Sequence, residues 1–165
     1  MASLKSKKAK ISREKAEQEV GIIRSTLEAV ERIRFCGSYR RNAKTVGDID
    51  VVVVPSDHAL CEASILTMAE EVFTHGKKQI RIFSKNKIQI DFYLTTNKFF
   101  ESHCLFLTGS KFFNIKSRQV AKTLGFRLSQ YGLNSLDGQP IALGEEEILG
   151  ALGMTDYFDP EARSI

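Results

Sequence analysis

Tryptophan is absent from this 165-residue chain, and proline, cysteine, histidine and methionine occur three times each. Three cysteines, Cys36, Cys61 and Cys104, are too few and too widely spaced for a disulfide framework or a zinc knuckle. His58, His75 and His103 do not cluster with them in sequence. These thiols read as buried small hydrophobes in a reducing compartment. No apolar run approaches the ~20 residues that span a bilayer, and the longest, Ile49 to Val54, has the length of a strand. The first ten residues are rich in Ser, Ala and Lys and lack the apolar stretch of a signal peptide. Membrane and secreted classes are therefore set aside, and a cytoplasmic, nucleoid or nuclear location is expected. Acidic excess is also missing: 24 Lys and Arg face 20 Asp and Glu, a formal net charge of +4. That balance permits a polyanionic partner without demanding one. Lys5, Lys7, Lys8 and Lys10 form a basic start that reads either as a nucleic-acid arm or as a solvated end.

What is present is a globular share of hydrophobic residues, 42%, and one informative run. Gly37-Ser38 is followed nine residues later by Gly47-Asp48-Ile49-Asp50, which leads into Val51–Val54. Residues two apart on a strand share a face, so the spacing aims Asp48 and Asp50 the same way. Two adjacent carboxylates repel unless a cation neutralises them. A divalent ion such as Mg2+ does so, taking a few carboxylates together with substrate phosphates. The Gly37-Ser38 turn supplies backbone N–H groups for a phosphate, and Arg41 a cation to pair with it. Gly47 admits close backbone approach.

The rest of the pattern predicts an α+β chain. Ser12 caps a helix to about Val30, with Ala16, Val20, Ile23, Leu27 and Val30 on one face. A short strand at Ile33–Cys36, a short helix from Ser38 through Arg40 and Arg41, and a central strand Asp48–Val54 ended by Pro55 come next. Ser56 caps a helix over about 57–73, closed by Gly76. Strands Ile80–Phe83 and Ile88–Leu94 form a hairpin around Lys85-Asn86. In the second strand Gln89, Asp91 and Tyr93 share a face opposite Ile88, Ile90, Phe92 and Leu94, so Asp91 joins the site if this strand lies beside Asp48–Val54. A helix over Asn97–Leu107 breaks at Thr108-Gly109, Ser110 caps a further helix to about Leu124, and a small meander precedes a helix at Glu145–Gly150 and an irregular tail. Lys111, Lys116, Arg118, Lys122 and Arg127 make this half basic. The lobe boundary is placed between 1–100 and 101–165.

Cys36-Gly-Ser-Tyr-Arg-Arg41 through Gly47-Asp-Ile-Asp-Val51 resembles the palm of the family X, polymerase-beta-like DNA polymerases, within the nucleotidyltransferase superfamily. Leu107-Thr-Gly-Ser-Lys-Phe-Phe-Asn114 through Arg118 resembles the start of that family's thumb. The resemblance runs over roughly residues 10–160. It implies a mixed palm sheet with flanking helices, followed by a small α/β thumb. It implies Asp48, Asp50 and Asp91 as catalytic ligands of two Mg2+ or Mn2+ ions. Gly37, Ser38, Arg41, Gly47 and Lys10 would hold the triphosphate. Phe106, Leu107, Gly109 and Asn114 would meet the sugar and base of the incoming dNTP, while Arg40, Lys111, Lys116 and Arg118 would face DNA. For Phe112 and Phe113 core packing is the plainer reading, and for Asn114 and Arg118 the alternative is an exposed polar helix face.

The expected activity is templated DNA synthesis from a primer 3′-hydroxyl, filling short gaps in repair on gapped or primed DNA. A monomer is expected, with a ligase as candidate partner. Alternatives are a template-independent or non-DNA nucleotidyltransferase and a catalytically silent DNA-binding module. Departures from the family pattern are specific. Gln89 stands where an Arg often precedes the third Asp by two. Phe106 lacks a tyrosine hydroxyl, Leu107 lacks a ring, and Lys111 replaces a common acid. The amino-terminal lyase region of larger relatives is absent, so removal of a 5′-deoxyribose phosphate is not expected. A viral or phage source fits such a short form.

Overall fold

Val51, Val52, Val53 and Val54 run through a five-stranded sheet covered on both faces, and all four are buried. The computed structural model describes residues 9–165. Lys5, Lys7 and Lys8 of the basic start lie outside the described residues. Ile11–Ser12 (β1) leads into helix Arg13–Thr26 (α1), whose N-terminus is capped by the Ser12 hydroxyl accepting from Lys15 N at 3.2 Å. Ala16, Val20 and Ile23 are buried beneath it, as their spacing predicts. The helix ends four residues sooner than expected. Ala29 adopts φ 54, the chain turns, and Val30 opens strand Val30–Phe35 (β2). A β-branched residue at a helical spacing is ambiguous when the helix stops just before it.

Helix Gly37–Arg40 (α2), strand Thr45–Val46 (β3) and strand Ile49–Pro55 (β4) follow. Asp57, rather than Ser56, caps helix His58–Thr67 (α3), accepting from Leu60 N at 3.0 Å. The helix expected to reach residue 73 stops at Thr67, and Ala69–His75 is an edge strand (β5). Val72 and Thr74 are β-branched and pair with Ile82 and Arg81 of Gln79–Ser84 (β6), with Phe73 at a register shift between them, and this pairing outweighs the helical pattern. Gln89–Leu94 (β7) completes the sheet in the order β2-β4-β7-β6-β5. Its β4–β7 pair is parallel and the others antiparallel. The core on one face contains Ile49, Val51, Val53, Ile90 and Phe92 with α1 and α3.

The opposite face is covered by helix Phe100–Thr108 (α4), whose Phe100 and Cys104 pack on Cys36, Val52 and Val54. Leu105, on the same helix, belongs to a second core with Phe113, Leu133, Ile148 and Leu149. That core is built by helix Lys111–Thr123 (α5), the antiparallel strands Phe126–Ser129 (β8), Gly132–Ser135 (β9) and Pro140–Ala142 (β10), and helix Glu145–Ala151 (α6). Two 3-10 turns, Thr155–Tyr157 and Pro160–Arg163, order the expected irregular tail. Cys36, Cys61 and Cys104 are free and buried, in keeping with their expected role. Among the described residues no helix is long and apolar enough to cross a membrane.

Candidate active site

The parallel pairing of β4 with β7 puts Asp50 directly opposite Asp91, so two carboxylates stand on adjacent strands about 4.8 Å apart in the sheet. Strand β4 begins at Ile49, so Asp48 occupies the residue just before it and not the strand itself. Asp50 shares its face of β4 with Val52 and Val54, the face roofed by α4. Gly37, at φ +61, closes the site from one side: a Cβ there would lie 2.5 Å from Asp50 Oδ2. The Cys36 amide donates to Asp50 O at 2.7 Å and ties the Gly37-Ser38 turn to β4. The Gly37-Ser38 turn is thus joined to the carboxylate strand through the backbone.

Asp91 is 2% exposed. Its Oδ1 accepts from Arg81 Nε in a short bond, and its Oδ2 accepts from Gln89 Nε2 at 3.0 Å. The hydrogen bond to Asp91, followed by the charges of Asp91, Tyr93 and Asp48, outweighs burial and raises Arg81 above the ordinary arginine range. Beside them, burial first and the charges of Asp50, Asp91 and Asp48 next push the Tyr93 hydroxyl well up, which keeps it protonated. Among the described residues no three His, Cys, Asp or Glu side chains stand ready as a metal cage, and both Asp91 oxygens accept hydrogen bonds, from Arg81 and Gln89. The donor set, three carboxylates without sulfur or imidazole, nevertheless suits a hard divalent cation. The absence of a side chain at Gly37 lets its backbone approach Asp50 Oδ2, where any Cβ would collide with the carboxylate.

The remaining expected residues are distributed around this centre. Ser38 lies half-buried in α2, and Gly47 has open space where a Cβ would stand. The antiparallel β1–β3 register pairs Ile11 with Val46, which carries exposed Lys10 towards Gly47. Arg41 donates from Nη1 to Thr108 O at 2.5 Å and from Nε to Ser164 Oγ at 3.2 Å, so it bridges the turn to the α4 end and to the tail. Burial lowers its guanidinium, and Asp50 opposes the shift. Gly109 has φ +65, the Gly109–Ser110 peptide is cis, and a Cβ on Gly109 would lie 3.2 Å from Arg41 Nη1. Asn114 donates from Nδ2 to Phe106 O at 2.8 Å, and Arg118 Nε donates to Asn114 O at 3.1 Å. Phe106, Asn114 and Arg118 line a recess with Leu105, Ser117, Leu128 and Ser129. Leu107 packs half-buried against the α4 face of the sheet.

Two expectations need correction, those for Arg40 and Phe112. Arg40, expected on DNA, turns inward: its two Nη atoms bind Glu145 Oε1 and Oε2 at 2.7 Å, and Nη1 also reaches Thr108 Oγ1 at 2.9 Å. Lys116 donates to Tyr157 OH at 2.6 Å and lies 4.8 Å from that ring's centroid. Phe112, expected in the core with Phe113, is 66% exposed while Phe113 is fully buried. Lys111 is exposed at the start of α5.

Two groups escaped the sequence reading. Arg81 is the charged residue between Ile80 and Ile82, and the β6–β7 register sets it opposite Asp91; the hairpin alternation alone could have found it. Glu145 is one of three glutamates opening α6, and nothing local marks it as the one that pairs with Arg40 and, at 2.6 Å, with fully buried Arg163.

Comparison with known proteins matches this arrangement to one family. The chain fits the DNA polymerase beta palm over residues 10–112 and the DNA polymerase beta thumb over residues 103–164. It belongs to family X of the DNA polymerases. The family X chain is 31% identical over 133 residues to the DNA polymerase/3′-5′ exonuclease PolX of Bacillus subtilis (strain 168), covering 77% of itself and 23% of that protein. It is 25% identical over 146 residues to DNA polymerase lambda of Rattus norvegicus, covering 74% of itself and 26% of the relative. It therefore spans about a quarter of the length of these curated relatives. Its fold matches two structures of Leishmania infantum polymerase beta, a ternary P/T complex and a ternary gap complex. Their TM-scores are 0.80 and 0.79, each at 22% identity, over 96% and 95% of this chain and 78% and 71% of those chains.

Proposed function

We propose that this family X chain is a DNA-directed DNA polymerase that adds a dNTP to a primer 3′-hydroxyl and fills short gaps in repair. The observation that carries the reading is the in-register pair Asp50–Asp91 on adjacent parallel strands, with Asp48 two residues before Asp50 and Gly37 pressed against it. The two polymerase structures that share the fold are described as P/T and gap complexes, which supports a primed or gapped DNA substrate.

In this reading Asp48, Asp50 and Asp91 hold two divalent ions, Mg2+ or Mn2+. When bound, such ions neutralise the triphosphate and make the 3′-hydroxyl more acidic. The protein supplies position and charge. Ser38 and the first N–H groups of α2 meet the β- and γ-phosphates, and Arg41 turns from Thr108 O to a phosphate oxygen. Asp91, nearest the sheet interior, accepts the proton of the 3′-hydroxyl as its oxygen attacks the α-phosphorus and pyrophosphate departs. Phe106, Gly109 and Asn114 border the nucleotide, with Lys10 near the triphosphate. Lys111 and Arg118 track the DNA.

The test is single-nucleotide incorporation on a duplex with a one-nucleotide gap, each dNTP separately, with Mg2+ or Mn2+. The expected result is insertion of the complementary nucleotide alone by the wild type and no insertion by Asp91→Ala, with the fold of the variant checked by circular dichroism. Insertion that ignores the template base would replace the reading with a terminal transferase. Extension by folded Asp91→Ala would remove the site assignment.

A further inference from the structure

A buried carboxylate needs a counter-charge, and a metal ligand needs free oxygens; Asp91 faces both demands. It is 2% exposed, so leaving it ionised without a partner is costly. Its neighbour on the same face of β7, Gln89, is neutral and donates only to Oδ2. The positive charge comes instead from the adjoining strand. The antiparallel β6–β7 register sets Arg81 opposite Asp91, and Arg81 Nε donates to Oδ1. The Arg81 side chain is 40% exposed while that of Asp91 is 3% exposed. The guanidinium therefore sits at the rim of the site on a flexible stem, free to move without unpacking Ile80 or Ile82. Both Asp91 oxygens are thus engaged, and among the described residues no three acidic, His or Cys side chains converge as a ready cation site.

We infer that Arg81 is a positioning residue, a built-in cation that holds Asp91 in place and gives up Oδ1 to the divalent ion, while Gln89 keeps Oδ2 oriented. The inference rests on the nucleotidyl-transfer reading of the three carboxylates. Occupation by the ion and the Arg81–Asp91 pair are then mutually exclusive at Oδ1, so the protein opposes metal binding by the strength of that pair. The pair fixes the carboxylate rotamer before the ion arrives, and the rim position gives the displaced guanidinium access to solvent and to the nucleic acid.

Mn2+ binding to the whole chain, without DNA or nucleotide, measures this competition directly through the spectroscopic signal of the free ion. Loss of a partly exposed ion pair should tighten Mn2+ binding roughly fivefold in Arg81→Gln. Arg81→Lys keeps a charge but loses the fixed Nε donor, and its affinity should lie between the two. In an Asp91→Asn background the gain from Arg81→Gln should vanish, which a purely structural role of Arg81 would not produce. Equal or weaker Mn2+ affinity in folded Arg81→Gln, or the same gain without the Asp91 carboxylate, would overturn the inference and leave the polymerase reading intact. If Arg81→Gln does not fold, equal affinity of Arg81→Lys and wild type overturns it. Failure of the wild type to bind Mn2+ even with a dNTP present would remove both.

Discussion

Gly37 is where backbone conformation and chemistry meet most tightly. Its φ of +61 lies in the left-handed region, and a methyl group there would meet Asp50 Oδ2 at 2.5 Å. An alanine would carry about 1–2 kcal/mol of backbone strain and would drive the carboxylate out of register with Asp91. Gly37→Ala should therefore lower stability by at least that amount in urea unfolding. It should also reduce kcat/KM for nucleotide insertion about a hundredfold, the usual cost of a displacement near 1 Å at a reacting centre. Insertion at the wild-type rate would show that Asp50 tolerates movement and that the turn is not a template for it. The Gly-Ser turn and both strand carboxylates were legible in the sequence because their signals are local: a dipeptide, a two-residue spacing, an alternation. Arg81 was not read, because its partner lies ten residues away and only the hairpin register joins them.

Elements are tied together by buried charge. Glu145 at the start of α6 receives Arg40 from α2 and Arg163 from the last turn, and it is 6% exposed while Arg163 is fully buried. Burial pushes the Glu145 carboxyl up, but the hydrogen bonds and charges of Arg40 and Arg163 outweigh it and hold it below the ordinary 4.5. A carboxyl lowered on folding contributes stability above its unfolded pKa, and that contribution is lost as pH falls through the lowered folded value. Thermal stability of the wild type should thus drop below about pH 4.5, and more steeply than that of Glu145→Gln. Glu145→Ala leaves fully buried Arg163 beside Arg40 and Arg34 without their shared counter-charge and should cost about 3–5 kcal/mol. Parallel acid limbs for wild type and Glu145→Gln would show that the pair does not couple to folding. The same scale explains the errors in element limits. The helix expected over 57–73 ran through Glu71 and Val72, which pair with Phe83 and Ile82 of β6 instead. Edge pairing is a tertiary event with no local marker. Strand β7 was placed correctly because one of its faces is uniformly apolar and the other carries Gln89, Asp91 and Tyr93.

At the scale of the whole molecule, the distribution of cations matters more than the net charge of +4. Composition presents the basic residues as one undivided set; the fold divides them. Arg40 and Arg163 are spent on Glu145, and Lys116 on Tyr157. Lys111, Arg118, Lys122 and Arg127 are exposed. If these four meet phosphates, log K for a gapped duplex should fall with log salt with a slope of about −3.6, at ~0.9 per neutralised phosphate. Lys111→Ala and Arg118→Ala should each reduce that slope by about 1. Lys116→Ala should reduce it less, since its ammonium must first give up its hydrogen bond to the Tyr157 hydroxyl. Fluorescence anisotropy from low to moderate salt separates these outcomes. A flat salt dependence would deny the α5 face a role in phosphate contact. A loss of slope in Lys116→Ala equal to that in Lys111→Ala would show that DNA draws Lys116 away from Tyr157, so that the face presented to the duplex is wider than the free protein displays.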